Sequence, residues 1–353
     1  MGDVGVKFLE VLREKMMIDD EWTQQHERGF TWWAYRLAQH FEVDPPVSDG
    51  VIDIYAVRIW TDIVRNVDPA TNPDQIVTVA NMHQSINATV WDPETQTVSE
   101  CCTTYVNEEN FDWMANLIAA AAVIQNSAAH TRAHALADIC AGVPAASDHP
   151  VRGHRPEMDD ILNVPQQVLV PVGAEPSHFA GPKMAAVPDF MTHMGIAGSS
   201  GPTEVRFSVP FADHHTSLAM LAAGQGPPMS HGQILTDAPH PEDGNGALTL
   251  MWIPAHPDFK NPAMLANALN HAEAQCESGV PLLGAWCPDP TSEDGSGLAF
   301  CSFLPNLVAR PGLIENQVLY QRRRSAFAAH WLWQSAGSDA DQDQARQAEN
   351  ETN

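Results

Sequence analysis

Residues 97–128 read TVSECCTTYVNEENFDWMANLIAAAAVIQNSA, and they pass from a strand pattern into a helix pattern. Thr97–Val106 is rich in β-branched and aromatic residues, which indicates a strand. From about Asn110 to Cys140 the apolar residues recur at helical spacing on one face: Met114, Leu117, Ile118, Ala121, Ile124 and Ala128. Gly142 and Pro144 end this helix. A strand that leads into an amphipathic helix predicts a sheet packed against helices.

The residues before this stretch complete a first domain, 1–142, with the element order α-β-β-β-α. A first helix is predicted over Glu21–Phe41, because one apolar stripe at helical spacing runs along it: Phe30, Trp33, Ala34, Leu37 and Phe41. Strands are predicted at Val51–Val64 and Ile76–Trp91, and the turn Asp92–Thr95 leads into Thr97–Val106. Consecutive strands joined by short turns predict an antiparallel sheet.

A Pro/Gly-rich linker, 143–201, follows, and its one short apolar run, Val168–Val172, is predicted to be a minor strand. The second domain, 202–334, has the predicted order β-β-β-α-β-β-α. Its predicted strands are Thr203–Phe211, Ser217–Leu221, Ala247–Pro254, Pro281–Cys287 and Gly297–Phe303, and its predicted helices are Asn261–Cys276 and Leu313–Trp333. Asn261 as N-cap and Pro262 at the first helical position mark the start of the first helix.

The overall prediction is an α+β protein of two sheet-and-helix halves, each with a mainly antiparallel sheet packed against helices. At 353 residues and 44% hydrophobic residues, the chain is long enough for two cores. Residues 335–353 contain no large apolar residue and carry five acids against Arg346, so this tail is predicted to be disordered.

The charge of the chain excludes two classes of partner. There are 44 acidic and 18 basic residues, for a formal charge of −26. Such a surface repels phosphate backbones and anionic lipids, so nucleic acid and membrane surfaces are not expected to bind. The N-terminus lacks a basic segment followed by an apolar stretch, and the longest apolar run, Leu117–Ile124, is too short for a membrane span. We therefore expect a cytoplasmic protein.

No motif in the sequence indicates catalysis or a cofactor. The six cysteines show no C-x-x-C spacing, so reduced thiols are expected. Gly198-Ser199-Ser200-Gly201 lacks the spacing of a serine nucleophile elbow, and no phosphate-binding glycine motif occurs. We expect no cofactor and no catalytic residue.

Histidines give the one alternative that involves chemistry. His130 and His134 have the four-residue spacing of a helical metal pair, but no further ligand is identified, so surface histidines remain the simpler interpretation. His214, His215 and His231 fall in a predicted loop region, where dispersed ligands leave no linear motif. These three residues are the candidates for a metal-dependent hydrolase. Solvated loop residues are the competing interpretation.

Two sets of residues are candidates for binding a partner. Trp32 and Tyr35 lie off the apolar stripe of the predicted first helix, and aromatic residues of that kind are enriched at interfaces. The other half or a second copy of the chain is an equally good candidate to cover them. Arg322, Arg323 and Arg324 are consecutive on the last helix and cannot share one solvent face. An internal or dimer salt bridge is expected for at least one, and docking of an acidic segment is the alternative.

The order of elements in the second half, together with a helix in the linker, resembles the type III secretion chaperone-like fold that is shared with the YbjN-like proteins. The first half resembles a shortened version without the last hairpin, and the linker is longer than in that fold. The resemblance is one of topology and transfers no functional residue. It implies a protein that binds segments of other proteins and performs no chemistry.

The function predicted from the sequence is a non-enzymatic, protein-binding or chaperone-like module that holds a partner polypeptide. Its partner is another protein or a second copy of the chain. The alternatives are the metal-dependent hydrolase and a structural subunit of a larger assembly, in which the acidic surface meets basic neighbours.

Overall fold

Two antiparallel sheets packed against helices form the protein, so the predicted α+β fold in two halves is confirmed. The structure is a computed structural model. It describes residues 3–48, 50–83, 85–169, 173–212, 216–217, 220, 224, 226–254, 261–292 and 296–351, without the side chains of 182–183 and 333–351. Among these residues, no helix combines the length and the apolar character needed to cross a bilayer.

The first half contains α1 (Val4–Lys15), β1 (Thr23–His26), β2 (Gly29–Trp33), β3 (Ala38–Val43), β4 (Val47–Ser48), β5 (Asp53–Arg65), α2 (Pro73–Asn81), β6 (Ala88–Asp92), β7 (Thr97–Val106), α3 (Phe111–Ile139) and β8 (Val143–Pro144). The strand order is β1-β2-β3-β5-β7-β6, with β4 and β8 paired to β5. Helices α1 and α3 cover one face of this sheet, which we call its inner face. The opposite face is called the outer face.

Two predicted elements of the first half are wrong. Residues 21–41 form no helix, because β1 and β2 are a hairpin and β3 pairs with β2. The predicted strand Ile76–Trp91 is divided between helix α2 and strand β6. The first half therefore has the last hairpin, β6 and β7, that the sequence analysis found to be absent. The strand at 97–106 and the helix that follows it are confirmed.

The second half follows α4 (Val164–Val168) and contains α5 (Val187–His193), β9 (Ala197–Ser200), β10 (Glu204–Pro210), β11 (Met229–His240), β12 (Gly244–Trp252), α6 (Pro262–Ala274), β13 (Ala285–Pro288), β14 (Leu298–Pro305) and α7 (Leu313–Glu351). The strand order is β9-β10-β11-β12-β14-β13. Three predictions are confirmed: helix α6 with the Asn261 N-cap, which accepts from the Met264 N–H at 3.2 Å, the β13–β14 hairpin, and the start of the last helix.

Other predictions for the second half are wrong or lie outside the described residues. Residues 229–240, expected to be a loop, form strand β11 between β10 and β12. The short strand expected at Val168–Val172 is wrong at Val168, which ends α4, and its residues 170–172 lie outside the described residues. Most of the strand expected at Ser217–Leu221 lies outside them as well. Helix α7 continues to Glu351, through the segment that composition predicts to be disordered.

The two halves share one topology. Each has a helix, four strands of a meander, a short helix, a β-hairpin and a long helix, and the last hairpin strand inserts next to the meander in both sheets. The strand register shows which residues of the two halves are equivalent. Cys101 pairs with Ala88 and Trp60, and its equivalent Cys301 pairs in the same way with Ala285 and Leu250. The same comparison makes Asn81 equivalent to Asn270, and Asp92 equivalent to Asp289.

Asparagine side chains close the edges of both sheets. The Asn81 amide on α2 donates to the Thr89 carbonyl at 2.9 Å and accepts from its N–H at 2.7 Å. The Asn270 amide on α6 makes the same two bonds to Trp286, also at 2.9 and 2.7 Å. Because β6 and β13 are the outer strands of their sheets, these amides satisfy backbone groups that no strand reaches.

The halves also exchange hydrogen bonds in a reciprocal way. Thr103 on β7 donates its N–H to the Leu282 carbonyl at 3.3 Å, and Phe303 on β14 donates its N–H to the Ser85 carbonyl at 3.4 Å. The donors are equivalent positions, and each acceptor lies just before the outer strand of the other half. Interfaces related by a two-fold axis have this reciprocity. The two hydrophobic clusters at this boundary contain residues of both halves.

Candidate binding groove

An open groove of about 340 Å³ lies on the outer face of the first sheet, where α6 of the second half crosses it. Its floor is formed by strands β5, β7 and β6, and its wall by the C-terminal part of α6. The lining residues are Arg58, Ile59, Trp60, Asp62, Val90, Asp92, Thr95, Thr97, Ser99, Cys101, Thr103, His271, Ala274 and Gln275. The groove is thus built from both halves of the chain.

Strand pairing sets the floor of the groove. Asp62 on β5 stands opposite Ser99 on β7, and Asp92 on β6 stands opposite Thr97. Because side chains on a strand alternate between faces, every second residue of these strands reaches the outer face. The residues between them, such as Ile59 and Cys102, belong to the core under α3. The floor therefore combines polar side chains with Trp60, Val90 and Cys101, while the same strands remain buried on their other side.

Helix α6 is fixed over the sheet by hydrogen bonds between the halves. The Asn267 side chain donates to the Trp91 carbonyl and accepts from the Trp91 N–H, both at 2.9 Å. At the other end of the helix, Tyr105 donates its hydroxyl to the Cys276 carbonyl at 2.7 Å. Burial raises the pKa of this tyrosine, so the phenol stays protonated and keeps donating. The wall of the groove is consequently held at both ends.

Two of the charged groups in the groove, Arg58 and Asp62, are paired within the protein. Arg58 donates to Glu42 at 3.2 Å, to Asp44 at 3.1 Å and to the Gln275 side chain at 3.1 Å. Asp62 accepts from the Ser99 hydroxyl at 2.9 Å and from Arg65 at 3.2 Å. This arrangement holds the carboxylate and the guanidinium in fixed positions on the floor.

Asp92 closes the turn at the end of the groove. Its side chain accepts from the Glu94 N–H at 2.9 Å and from the Thr95 hydroxyl at 2.8 Å. Partial burial alone raises the pKa of Asp92, but these hydrogen bonds outweigh burial and leave the pKa below its usual value. Asp92 is therefore ionised at neutral pH.

Aromatic residues extend the outer face from the groove towards β2. Trp60 stacks on His40, with ring centroids 4.8 Å apart, and the His40 Nδ1 lies 2.9 Å from the Thr31 hydroxyl. Burial lowers the pKa of His40, against the opposing effect of Asp62. The imidazole is therefore neutral near pH 7.

The structure places Trp32 and Tyr35 differently from the prediction. Trp32 lies on β2 with its side chain fully buried on the inner face, and its Nε1 donates to Asp19 at 3.1 Å. Tyr35 lies between β2 and β3 and is half-buried; its ring lies near the His130 ring and under the Arg36 guanidinium. The predicted pair of exposed helical aromatics is wrong, because Trp32 is a buried residue of strand β2, whereas Tyr35 lies in the segment that follows the strand.

The arginine run on α7 divides as the sequence analysis expected. Arg324 is buried and forms the expected internal salt bridge, with Nε to Glu273 Oε1 at 2.9 Å and Nη2 to Glu273 Oε2 at 2.9 Å. It also lies 3.6 Å above the Phe300 ring. Arg322 donates to the Met194 carbonyl at 3.1 Å, and Arg323 is exposed. Arg322 and Arg323 line a second depression, but docking of an acidic segment there stays a prediction.

The described structure does not bring the candidate metal-binding histidines of the predicted hydrolase site together. His214 and His215 lie outside the described residues, and His231 is an exposed residue of β11 whose Nδ1 lies 3.0 Å from the Ser208 hydroxyl. Within the described part of the chain, no group of three His, Cys, Asp or Glu residues is placed to hold a metal ion. His130 has both ring nitrogens engaged, with the Asn126 carbonyl and the Leu37 N–H.

The cysteines are free and largely buried. Burial raises the pKa of the Cys102 thiol to about 12 and that of Cys276 to about 11, so both stay protonated at neutral pH. Protonated thiols are poor nucleophiles.

Comparison with known proteins gives no relative. No protein-family model, no curated protein and no solved structure matches this chain.

Proposed function

We propose that the chain is a non-enzymatic, chaperone-like module that holds a segment of a partner polypeptide in the groove on the outer face of the first sheet. The observation that carries the proposal is the construction of the groove. It is an open trough walled by one half and floored by the other, with an aromatic side chain and polar groups pointing into it. Sites of this kind combine apolar contact with a few fixed hydrogen-bonding groups.

The extent of the open face suits a polypeptide. From β6 across β7 and β5 to β3 there are three inter-strand spacings of about 4.8 Å, or roughly 14 Å in total. That distance matches about four residues of extended chain at about 3.4 Å each. The groove provides one end of this path, and Trp60 with His40 continues it.

The chemistry of the lining suits binding. Asp62 and Asp92 each accept two hydrogen bonds from side chains or backbone of the same chain. Carboxylates held in this way have fixed positions, and in the described structure neither is joined to a histidine by a hydrogen bond. Fixed groups of this kind recognise a ligand and lack the proton relay of a hydrolytic site.

The element order also supports the proposal. Both halves contain α-β-β-β-α-β-β-α, with an additional edge strand, and this is the order on which the resemblance to secretion chaperone-like proteins is based. We accordingly propose a cytoplasmic protein with a protein partner and no cofactor.

The test is a selection of random twelve-residue peptides on the immobilised full-length chain, followed by binding measurements with groove variants. Trp60→Ala removes the aromatic side chain from the groove. Leu250→Ala is the matched control, because Leu250 is the equivalent residue on the second sheet. We expect Trp60→Ala to weaken binding of the selected peptides at least tenfold and Leu250→Ala to change it less than twofold.

The proposal is abandoned if no peptide is selected, or if both variants bind the selected peptides as tightly as the unmodified chain does. Circular dichroism and thermal unfolding of each variant show whether the fold is retained. A photocrosslinker placed on a selected peptide locates the bound segment independently of the mutations.

A further inference from the structure

We infer that the groove recognises a basic segment, through the lysine or arginine side chains of the partner. This inference rests on the proposed function, since it names the chemistry of the polypeptide that the groove takes. Three features of the groove carry it: its charge, its hydroxyl groups and its aromatic residue.

The charge around the groove is negative beyond its internal pairing. Four carboxylates, Glu42, Asp44, Asp62 and Asp92, lie in or beside it, and two guanidinium groups, Arg58 and Arg65, are paired with three of these carboxylates. Among the described residues Asp92 forms no salt bridge; a backbone N–H and a hydroxyl hold it, and His271, which also lines the groove, lowers its pKa further when charged. The chain as a whole has a formal charge of −26, so its long-range field also attracts cationic segments.

The hydroxyl groups of the floor present acceptors to the groove. Thr95 donates its proton to Asp92 at 2.8 Å, Thr97 donates to the Thr95 carbonyl at 3.2 Å, and Ser99 donates to Asp62 at 2.9 Å. A hydroxyl has one proton and two acceptor lone pairs. Because each proton is already used inside the protein, an occupant meets lone pairs and finds its best partners among hydrogen-bond donors.

The guanidinium group of the groove is also engaged within the protein, through its two terminal nitrogens. Arg58 directs its terminal nitrogens to Glu42, Asp44 and Gln275, and the Gln275 side-chain oxygen is used by this contact. An acidic segment therefore finds its natural partner already paired. Ammonium and guanidinium groups carry donors and no acceptors, which complements this lining.

Trp60 adds an aromatic surface close to the carboxylates. It is half-buried, lines the groove and stands next to Asp62 on the same face of β5. A cation over an aromatic ring is attracted by the negative face of the ring, and tryptophan is the best of the three aromatic residues for this contact. Since His40 is neutral near pH 7, its stacking on Trp60 does not supply a competing cation.

The experiment uses the peptides selected on the full-length chain and isothermal titration calorimetry. We expect the selected sequences to be enriched in lysine and arginine. Replacing those residues by norleucine, which keeps the aliphatic chain and removes the charge, is expected to weaken binding at least tenfold. Raising NaCl from 0.05 to 0.5 M is expected to weaken binding at least fivefold, because salt screens exposed charges.

Matched variants locate the effect. Asp62→Asn combined with Asp92→Asn keeps the shape of both side chains and removes their charges, and it is expected to weaken the basic peptides about tenfold. Asp289→Asn is the control, since Asp289 makes the equivalent turn in the second half and accepts from Thr291 at 2.8 Å. It is expected to leave binding within twofold. Unfolding midpoints of all variants serve as the fold control.

The outcomes separate this inference from the proposed function. Peptides that are lost with Trp60→Ala but bind equally well with norleucine overturn the basic segment and leave the polypeptide-binding proposal standing. Equal loss with Asp289→Asn and with the groove variant overturns the groove as the charged site. Peptides that bind independently of Trp60, or no selected peptide at all, overturn both.

Discussion

The outer faces of the two sheets occupy equivalent places in one topology and present different chemistry. Where the first sheet has Arg58, Trp60 and Asp62 on β5, the second has Leu248, Leu250 and Trp252 on β12. The neighbouring strand changes in the same sense, since Ser99 and Thr97 correspond to Ala299 and Gly297. The polar side chains on the floor of the groove are therefore a property of the first half alone.

The frame beneath these faces is common to both halves. Asn81 and Asn270 make the same pair of bonds to an outer strand, and Asp92 and Asp289 close the same turn. Even Pro73 and Pro262, which begin the two short helices, are equivalent. The residues that stabilise the fold are therefore the same in both halves, whereas the side chains on the outer faces, which a partner would contact, differ.

The largest expected effect on the free energy of unfolding comes from the buried Arg324–Glu273 salt bridge, which lies within the second half. Arg324→Met leaves the fully buried Glu273 without its cation, and removal of one partner of a buried pair costs about 3–5 kcal/mol. Urea unfolding measures the free energy of unfolding. Adding Glu273→Gln to the variant removes the unpaired charge and keeps an acceptor for Trp286, so we expect it to recover part of the loss. A loss below 1 kcal/mol for Arg324→Met contradicts this account.

The next effect tests whether the frame is equivalent in the two halves. Asn81→Ala and Asn270→Ala each remove two hydrogen bonds to backbone groups of an outer strand, at about 0.5–1.5 kcal/mol for each bond. We expect the two variants to lower the free energy of unfolding by amounts that agree within about 1 kcal/mol, given the usual context dependence. A large loss at one position and none at the other breaks the comparison.

A pH effect is expected from the first half. Burial lowers the pKa of His130, and in the folded protein its Nε2 accepts the Leu37 N–H. A histidine whose folded pKa lies below the unfolded value of about 6.5 gives full stability above that pH and loses it as pH falls towards the folded pKa. We expect His130→Gln to show a shallower loss of stability between pH 7 and pH 5 than the unmodified chain. Parallel pH profiles contradict the assignment.

The smallest expected effects on stability come from two turn residues, and they distinguish a role in the fold from a role in binding. Asp92→Ala and Asp289→Ala each remove two turn hydrogen bonds at exposed sites, and each is expected to cost about 0.5–1.5 kcal/mol. Binding of the selected peptides is expected to fall with Asp92→Ala alone. Thermal unfolding and calorimetry on the same samples measure both quantities. Equal loss of binding in both variants contradicts the assignment of the site to one half.

Sequence patterns predict this fold well where several signals coincide. The helix at 111–139 has a long apolar stripe with a clear end, and the helix at 262–274 has an N-cap followed by proline. The same Asn-Pro signal stands at Asn72-Pro73, where the β-branched residues of Ile76–Val79 instead favour a strand. Local propensity is therefore misleading in α2, where packing between the halves decides the structure.

The first helix fails for a different reason. Four apolar residues match a helical period: Phe30, Trp33, Leu37 and Phe41. In the structure the first two lie on β2, Leu37 lies in the segment that follows it, and Phe41 lies on β3. Aromatic residues that belong to two short strands and a turn can imitate a helical stripe, because the spacing across the turn is not a strand spacing. The error extended to Trp32, whose predicted exposure depended on that helix.

The groove itself lies beyond linear patterns. Its residues run from Arg58 to Gln275, and strand pairing and a helix from the other half bring them together. The sequence does contain the signal that the outer face is polar, since Arg58, Asp62, Ser99 and Thr103 alternate with core residues. The Arg324 salt bridge was predictable because three consecutive arginines on one helix cannot all face solvent.

The reciprocal bonds between the halves join residues that are far apart in sequence, so one partner is synthesised well before the other. Thr103 is joined to Leu282, 179 residues further along the chain. At about 5–20 residues per second, a ribosome needs roughly 10–35 s to make the residues between them. During that interval β7 is complete and paired with β5, but beyond Cys101 its other edge has no neighbour, and the outer face of the first sheet has no α6 over it. The first half is consequently finished by the second, after most of the polypeptide has emerged.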